Sequence, residues 1–353
     1  MSNEDTNKKP EPQITFANRF DYEEGSIFQT IRAGVAYFVH LLTWVLSLGS
    51  PVLISVFVRN GQHGLLAALL GLTVMAYLPW ERGYISDLAT IFVRFQVYWY
   101  KKCSVIYVSK ESMPQRCVDD PKQQKRPSLY AVHPHGAFAM GWSILYSSKI
   151  MHEGKVRFVF APGLYISPLF RLWSRMVGRP GSSSKTSMIR YMKDIQNETG
   201  RPGDLALIPG GFEDATLSCI DKDRVYIKKR VGFIKLALQH GFNVVPTYSF
   251  GENQTYSNVQ GLWKFRLWLN SLSVPGIVVF GSWLFPLLPK RHPKGLTVVV
   301  GEPLVLPTIS DPTRDEVKLW HDKYMASLVR LFEEHKEAYY GPEIAKTAKL
   351  ELW

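Results

Sequence analysis

The chain contains 353 residues, of which 46% are hydrophobic and 13% aromatic, and its formal net charge is +12. This length allows one large domain or two ordinary ones with a sizeable core. The basic excess favours an anionic partner, but no Lys/Arg block alternates with stacking aromatics, so a membrane surface is favoured over nucleic acid. The cysteines, Cys103, Cys117 and Cys219, have neither metal nor redox spacing, which favours a reduced compartment.

Residues 1–30 are polar and lack an early apolar run, so they are predicted to be a disordered cytosolic tail without a cleavable signal peptide. Residues 31–80 are predicted to form a membrane hairpin. Its first arm, Val35–Val58, has no formal charge, would extend about 36 Å as a helix and contains Pro51, which predicts a kink. Its second arm, Leu65–Leu78, would extend only about 21 Å. The hairpin therefore either spans the bilayer or re-enters it.

Basic residues flank this hairpin on both sides, whereas the short loop between its arms carries only Arg59. The positive-inside rule therefore predicts that the amino terminus and the bulk of the chain face the cytosol. Residues 81–128 contain an amphipathic stretch, Ile85–Tyr100, followed by a polar connector that ends at Pro127. We expect this segment to lie along the membrane surface.

Apolar strand patterns alternate with helical patterns from residue 129 onwards, which predicts an α/β domain over residues 129–353 with a mostly parallel sheet covered by helices. The predicted strands are Leu129–Val132, Val156–Phe160, Leu205–Ile208, Val244–Phe250 and Leu296–Gly301. The predicted helices are Phe138–Ile150, Ser184–Glu198, Lys229–His240 and Thr313–Glu337. Residues 261–288 interrupt the alternation with dense Trp, Phe and Leu, which predicts a membrane-associated insertion, with a covered core element as the alternative.

Two histidines flank a proline directly after the first predicted strand, in the order His133, Pro134, His135 and Gly136. Pro134 cannot donate a further hydrogen bond to a sheet, and Gly136 allows the backbone to turn. The strand therefore delivers two imidazoles to its carboxyl end, where open α/β sheets bind their ligands. Because an imidazole titrates near neutral pH, it can take a proton from a hydroxyl group and pass it on. The alternative is a pair of surface loop histidines.

A second group of candidate residues follows the third predicted strand: Pro209, Gly210 and Gly211, and then Glu213 and Asp214. Paired glycines allow backbone amides to approach a ligand closely. One of the two adjacent carboxylates can orient a catalytic imidazole or hold a substrate hydroxyl. The sequence does not distinguish the two acids, and an ordinary glycine turn with exposed acids is the alternative.

Two further segments are candidates for substrate binding. Arg230 and Lys235 lie near the start of a predicted helix, where cations and the helix amino terminus favour phosphate groups. A solvated basic face is the alternative there. Glu252 and Asn253 follow the strand Val244–Phe250 at the same end of the sheet, where they either line the site or cap a turn.

The sequence lacks the motifs of several other kinds of enzyme and binding site. The chain has no G-x-S-x-G sequence, which disfavours a lipid hydrolase. Ser184, rather than a glycine, precedes Lys185, so the spacing of a Walker A phosphate loop is not met. The histidine pair has neither helical i, i+4 spacing nor a nearby cysteine, so we predict no metal site.

These motifs together resemble the type-2 diacylglycerol acyltransferase family, which also contains monoacylglycerol acyltransferases and wax synthases. The matching segments are YAVHPHG, FVFAPGLYISPLFR, RPGDLALIPGGFEDA, RVGFIKLALQHG, VVPTYSFGEN and VVVGEPLVLP, over roughly residues 129–307. The resemblance implies a glycerophosphate-acyltransferase-like fold. It also implies transfer of an acyl chain from acyl-CoA to a glyceride hydroxyl, in the endoplasmic reticulum membrane and on lipid droplets.

Given this resemblance, we expect His135 to be the general base that takes the proton of the diacylglycerol hydroxyl. His133 would support it or stabilise the oxyanion. Glu213 or Asp214 would orient the imidazole, and backbone amides of the glycine pair would help to hold the oxyanion. We expect no metal and no cofactor, because the thioester of the co-substrate acyl-CoA is already activated.

The chain departs from the related glycerophosphate acyltransferases, in which the catalytic His is followed five positions later by Asp. Phe138 and Met140 stand five residues after the two histidines, so the partner carboxylate must come from another segment. A monoacylglycerol acyltransferase and a wax synthase are the alternatives within the family. A non-catalytic lipid-binding or droplet protein is the alternative outside it. The oligomeric state is left open.

Overall fold

One large mixed sheet and the helices that cover it make up most of the described structure. The computed structural model describes residues 13–14, 27–78, 95–100, 103–117, 126–194, 203–272, 276–283, 285–292 and 294–353. The strands are β1 Gln13–Ile14, β2 Cys103–Tyr107, β3 Ser128–His133, β4 Arg157–Phe160, β5 Pro180–Ser182, β6 Leu205–Leu207, β7 Asp223–Val225, β8 Asn243–Phe250, β9 Ser257–Asn258, β10 Val279–Phe280, β11 Leu296–Val300 and β12 Leu350–Leu352. The helices are α1 Ile27–Arg59, α2 His63–Tyr77, α3 Met140–Tyr146, α4 Lys149–Glu153, α5 Pro162–Ile166, α6 Pro168–Val177, α7 Lys185–Lys193, α8 Gly211–Leu217, α9 Gly232–His240, α10 Trp263–Ser271, α11 Arg314–Tyr340 and α12 Pro342–Ala345.

Eight of the described strands form the large sheet, in the order β1-β2-β11-β8-β3-β6-β4-β5. The pairs β1–β2 and β11–β8 are antiparallel, and the other neighbouring strands are parallel. The predicted α/β fold with a mostly parallel sheet is thereby confirmed. β3 lies near the centre, between β8 and β6, so its carboxyl end adjoins the carboxyl ends of both neighbours.

The core consists of two layers, one on each face of the sheet. Tyr130 and Val132 of β3 contribute to the layer under α1, α3 and α6, whereas Leu129 and Ala131 contribute to the layer under α7, α9 and α11. Every residue of β3 and β8 is buried. Burial along the whole strand is typical of strands covered on both faces, because neither face meets water.

All five predicted strands are present, and each end agrees with the prediction within one residue. The helix predicted over Phe138–Ile150 is instead two short helices, α3 and α4. The break is stabilised by Ser148, whose hydroxyl caps α4 by accepting from the Met151 N–H. α9 begins at Gly232 rather than Lys229, so Arg230 precedes the helix. The end of the helix predicted over Ser184–Glu198 lies outside the described residues.

Short ordered elements fall in segments for which we predicted no regular core structure. β1 and the start of α1 at Ile27 lie within the predicted tail, 1–30. β2 lies within the predicted interfacial connector, 81–128, yet four of its five residues are buried between β1 and β11. Its five-residue run, CSVIY, is too short to stand out from the surrounding polar sequence. The amphipathic stretch predicted over Ile85–Tyr100 is described only from Phe95, where Tyr98, Trp99 and Tyr100 are buried; its earlier part lies outside the described residues.

The hairpin segment forms two helices, and the first of them is bent. No single helix in the described residues is long and apolar enough to cross a membrane, but the two parts of α1, Ile27–Leu46 and Gly49–Arg59, meet that criterion together across a 75° bend. Pro51 lies in the second part. One face of α1 packs on the core through Tyr37 and Leu41, while much of the rest exposes large apolar side chains.

The segment 261–288 is partly anchored and partly exposed. The buried guanidinium of Arg266 on α10 donates to the Gly276 carbonyl at 2.6 Å and to the Asn258 side-chain oxygen at 2.9 Å. Trp283 is 89% exposed, and several neighbouring aromatic and aliphatic side chains are also exposed. Phe285 contacts Phe38 of α1, with ring centroids 5.5 Å apart, which makes this apolar surface continuous with that of α1.

Candidate active site

Three segments that are far apart in the chain meet at the carboxyl ends of β8, β3 and β6. The His133–Gly136 turn follows β3, the Pro209–Asp214 segment follows β6, and Glu252 follows β8. Because these strands are adjacent and parallel, their ends share one edge of the sheet. Ligands of open α/β sheets bind at such an edge.

The ring of His135 has a defined tautomer. Its Nδ1 lies 2.8 Å from the Gly136 carbonyl oxygen, which only accepts hydrogen bonds, so Nδ1 carries the proton and donates. Nε2 therefore holds the lone pair, and within the described parts of the chain it makes no hydrogen bond. The side chain is half-buried. Burial lowers the pKa of His135 below its ordinary value, more than the Gly136 carbonyl and Asp214 raise it, so the ring is neutral at neutral pH.

His133 is fully buried and is held between two other side chains. Its Nε2 lies 2.9 Å from the hydroxyl oxygen of Tyr324 on α11, and its Nδ1 lies 3.8 Å from Oδ2 of Asp214. Burial keeps the pKa of Tyr324 well above its ordinary value, so the phenol stays protonated. No sequence pattern pointed to Tyr324, because it lies on a distant helix and its role depends on how that helix docks.

Asp214 links the histidine turn to a loop that precedes α9. Its buried Oδ2 accepts from the backbone N–H of His135 at 3.2 Å, and its Oδ1 accepts from the backbone N–H of Tyr226. A Cβ atom at Gly210 would lie 2.1 Å from this carboxyl group, so only glycine leaves room for it. Asp214 thus reaches the ring of His133 but only the backbone of His135.

Glu213 points away from both histidines. Its carboxylate forms an ion pair with the guanidinium of Arg230, and the two side chains are 21% and 36% exposed. Arg230 also donates to the Gly210 carbonyl at 3.4 Å. Neighbouring residues of a helix project about 100° apart, which explains why two adjacent acids on α8 face different surroundings.

Glu252 lies directly against the histidine turn. Its Oε1 accepts from the backbone N–H of Met140 at 3.0 Å, and its Oε2 accepts from that of Gly141 at 2.6 Å, so it caps the start of α3. Gly136 has φ of 61°, and a Cβ atom there would lie 2.2 Å from Oε1. Burial raises the pKa of Glu252 to about 7, although the two N–H donors lower it.

Glu252 therefore makes stability depend on pH. Its pKa is higher in the folded than in the unfolded chain, so its contribution is fully present below about pH 4.5 and is lost as pH rises through about 7, a change of about 3 kcal/mol. We expect thermal unfolding in detergent to show the wild type losing stability relative to Glu252→Gln across this window. Parallel pH curves for the two proteins would contradict this prediction. Glu343→Gln, on exposed α12, is the matched control.

Besides Glu213, two further predicted site residues do not join the histidines. Asn253 donates to the Lys222 carbonyl at 2.9 Å and lies within 3.4 Å of Asp223, in a separate buried cluster with Tyr248. Lys235 is exposed on α9. Pro134 lies within the histidine turn, and Pro209 directly precedes the glycine pair. The described residues contain no group of three or more His, Cys, Asp or Glu side chains that could hold a metal ion.

Comparison with known proteins assigns the chain to a family. A family model described as diacylglycerol acyltransferase matches residues 84–353. The chain belongs to the diacylglycerol acyltransferase family. No solved structure matches it. The family match covers all three segments that meet at the sheet edge.

The relatives of this diacylglycerol acyltransferase family member include proteins named as diacylglycerol acyltransferases and one named as a 2-acylglycerol acyltransferase. Diacylglycerol O-acyltransferase 2-like protein 6 of Mus musculus is 34% identical over 62% of this chain and 68% of its own. Diacylglycerol O-acyltransferase 2 of Xenopus tropicalis is 30% identical over 84% of each chain. 2-Acylglycerol O-acyltransferase 1 of Homo sapiens is 29% identical over 86% of this chain and 92% of its own. The match to diacylglycerol O-acyltransferase 2 of Mus musculus spans only 59% of that protein.

Proposed function

We propose that the protein transfers an acyl group from acyl-CoA to the free hydroxyl of diacylglycerol, which yields triacylglycerol and coenzyme A. Family membership and relatives named diacylglycerol O-acyltransferase support this assignment. The observation that carries the chemistry is the hydrogen bond from His135 Nδ1 to the Gly136 carbonyl, because it leaves a basic Nε2 at the sheet edge.

In the proposed reaction, Nε2 of His135 takes the proton of the acceptor hydroxyl as its oxygen attacks the thioester carbonyl carbon. A C–O bond forms and the carbonyl π electrons move to oxygen. The C–S bond then breaks, and the thiolate of coenzyme A takes the proton from His135. A thioester is sufficiently activated for this direct transfer, so no covalent enzyme intermediate is required.

In this proposal, the other residues of the site position the reacting groups or stabilise negative charge on the substrates. Asp214 holds the backbone of His135 and faces the ring of His133, which favours one arrangement of the turn. Backbone amides near Gly210 and Gly211, beside Asp214, would stabilise the oxyanion. Arg230, which contacts both Glu213 and the Gly210 carbonyl, would offer a cation to the coenzyme A phosphates.

Monoacylglycerol is the second candidate acceptor. The human relative named 2-acylglycerol O-acyltransferase 1 aligns with 92% of its length, which is a fuller match than those of the mammalian relatives named diacylglycerol O-acyltransferase 2. Both acceptors present a primary or secondary hydroxyl to the same base, so the proposed chemistry does not separate them. A fatty alcohol, as used by wax synthases, is the third possibility.

We further propose that the protein works at the endoplasmic reticulum membrane with its catalytic domain on the cytosolic side. The exposed apolar faces of α1 and α2, together with the exposed aromatic side chains of 261–288, support attachment to a bilayer. Both substrates of the proposed reaction carry acyl chains that partition into lipid. The same surfaces would suit a lipid droplet.

The acceptor is tested with purified protein in lipid, radiolabelled acyl-CoA and a panel of diacylglycerol, monoacylglycerol and fatty alcohol. We expect labelled triacylglycerol and free coenzyme A with diacylglycerol, and markedly slower transfer to the fatty alcohol. Transfer to monoacylglycerol alone would replace the first candidate by the second. Release of labelled fatty acid without an acceptor, or no release of coenzyme A, would refute the proposed function.

A further inference from the structure

A two-stranded parallel sheet, formed by β7 and β12, lies apart from the large sheet. Its ladder continues one residue beyond both strands. The Trp353 N–H donates to the Val225 carbonyl at 2.8 Å, and the Trp353 carbonyl accepts from the Ile227 N–H at 3.0 Å. Trp353 therefore holds the backbone on both sides of Tyr226.

This pairing decides the direction in which the backbone N–H of Tyr226 points. In a trans peptide, the C=O of one residue and the N–H of the next point in opposite directions. The Val225 carbonyl points toward β12, so the N–H of Tyr226 points away from that strand. On that side lies Asp214, whose Oδ1 accepts from Tyr226. The other oxygen of Asp214 accepts from the backbone N–H of His135, so one carboxylate joins the two segments.

Side chains also hold β12 against β7. The carboxylate of Glu351 accepts from Arg224 Nε at 2.9 Å, and the same guanidinium donates to the Gln260 side-chain oxygen at 3.1 Å. The ring of Trp353 lies beside that of Trp263 on α10, with centroids 6.2 Å apart. These contacts fix Trp353 between β7 and α10, on the far side of β7 from the histidine turn.

We propose that Trp353 is a positioning residue for the acyl transfer and that it acts on His135 through Asp214. The inference rests on the proposed function. Trp353 fixes the N–H of Tyr226, that N–H fixes the Asp214 carboxylate, and the carboxylate fixes the turn that carries the base. A shift of about 1 Å at a reacting group is enough to slow a reaction on the order of 10²-fold, so a contact outside the site can affect the rate.

The test compares two substitutions at the same position. Trp353→Ala and Trp353→Pro both lose the indole ring, but only proline lacks the N–H that holds the Val225 carbonyl. We expect kcat of Trp353→Pro to be lower than that of Trp353→Ala on the order of tenfold. Hydrogen exchange over residues 223–228 should also be faster in the proline variant, because its ladder is open.

The same two variants are then measured in an Asp214→Asn background. A side-chain amide cannot accept through both of its polar atoms, so the link from Tyr226 to His135 is already broken there. We expect the kcat ratio between the two Trp353 variants to fall below about twofold, because effects that pass through one residue are not additive. An equal ratio in both backgrounds would show a merely structural role and would overturn the inference. So would equal kcat values for the two variants in the wild-type background.

Glu351→Lys provides a second variant that opens the same strand pair if Trp353→Pro does not fold. It places a cation opposite Arg224, and like charges opposite each other destabilise paired strands. Its kcat should be lower than that of Glu343→Lys, which makes the same charge change on α12, and the difference should vanish with Asp214→Asn. Equal kcat values in these two variants would contradict the inference. If the wild type transfers no acyl group from any acyl-CoA, the proposed function fails instead.

Discussion

Replacing His135 with alanine is expected to lower kcat on the order of 10²–10⁴-fold, the contribution of a positioned general base. Nε2 of this ring is the basic atom at the sheet edge, since Nδ1 is engaged with the Gly136 carbonyl. The substitution removes a half-buried ring that makes no other side-chain hydrogen bond in the described residues. The fold should therefore persist, and KM for acyl-CoA should change little.

Acyl transfer and thermal unfolding are measured together on the same preparation of His135→Ala. His63→Ala, at an exposed position at the start of α2, is the matched control and should retain full activity. His133→Ala provides the second comparison. It should destabilise the protein, because it leaves the buried Tyr324 hydroxyl and the Asp214 carboxylate without this partner. Normal turnover in a folded His135→Ala protein would exclude His135 as the base.

The pH profile provides an independent check on the same residue. The pKa of His135 is lowered by burial, so the ring stays neutral, and able to accept a proton, at pH values below its ordinary pKa of 6.5. The midpoint of the acid limb in the pH profile of kcat/KM should consequently lie below pH 6.5. An acid limb well above that value would indicate that a different group accepts the proton.

Replacing Asp214 with asparagine is expected to reduce kcat on the order of 10²-fold, whereas Glu213→Gln should change it less than about fivefold. Asp214 accepts from the His135 and Tyr226 backbone N–H groups. An amide in its place turns one acceptor into a donor, which costs about 1–3 kcal/mol of stability and displaces the turn. A displacement of about 1 Å at a reacting group is enough for a loss of this size. Glu213 makes a half-exposed ion pair worth about 0–1 kcal/mol.

A positioning role and a purely structural role for Asp214 are separated by the pH profile. The negative charge of Asp214 raises the pKa of His135, so its removal should move the acid limb of kcat/KM to lower pH. Glu213→Gln should leave that limb in place. Equal losses in the two variants, or a larger loss in Glu213→Gln, would contradict the assignment of Asp214 as the acid that supports the histidine turn.

The sequence by itself determined the elements that carry the site. The apolar runs before the His-Pro-His turn, the glycine pair and Glu252 predicted three strands whose ends agree with the structure within one residue. The spacing of apolar residues along a short segment is a local property, so the sequence alone indicates where a strand runs and whether it is covered on both faces. The family resemblance was likewise readable from short motifs next to those strands, and the family match confirms it.

Only the tertiary structure decided which side chains face each other. Glu213 and Asp214 are adjacent acids in the sequence, and the phase of α8 relative to β3 places one beside the histidines and the other beside Arg230. Tyr324 reaches His133 because α11 docks across the sheet. Pro51 predicted a kink in α1, but the 75° angle between its two parts emerged only in the structure. These relations depend on packing between distant elements, and no local pattern of residues encodes the rotation or docking angle of a helix.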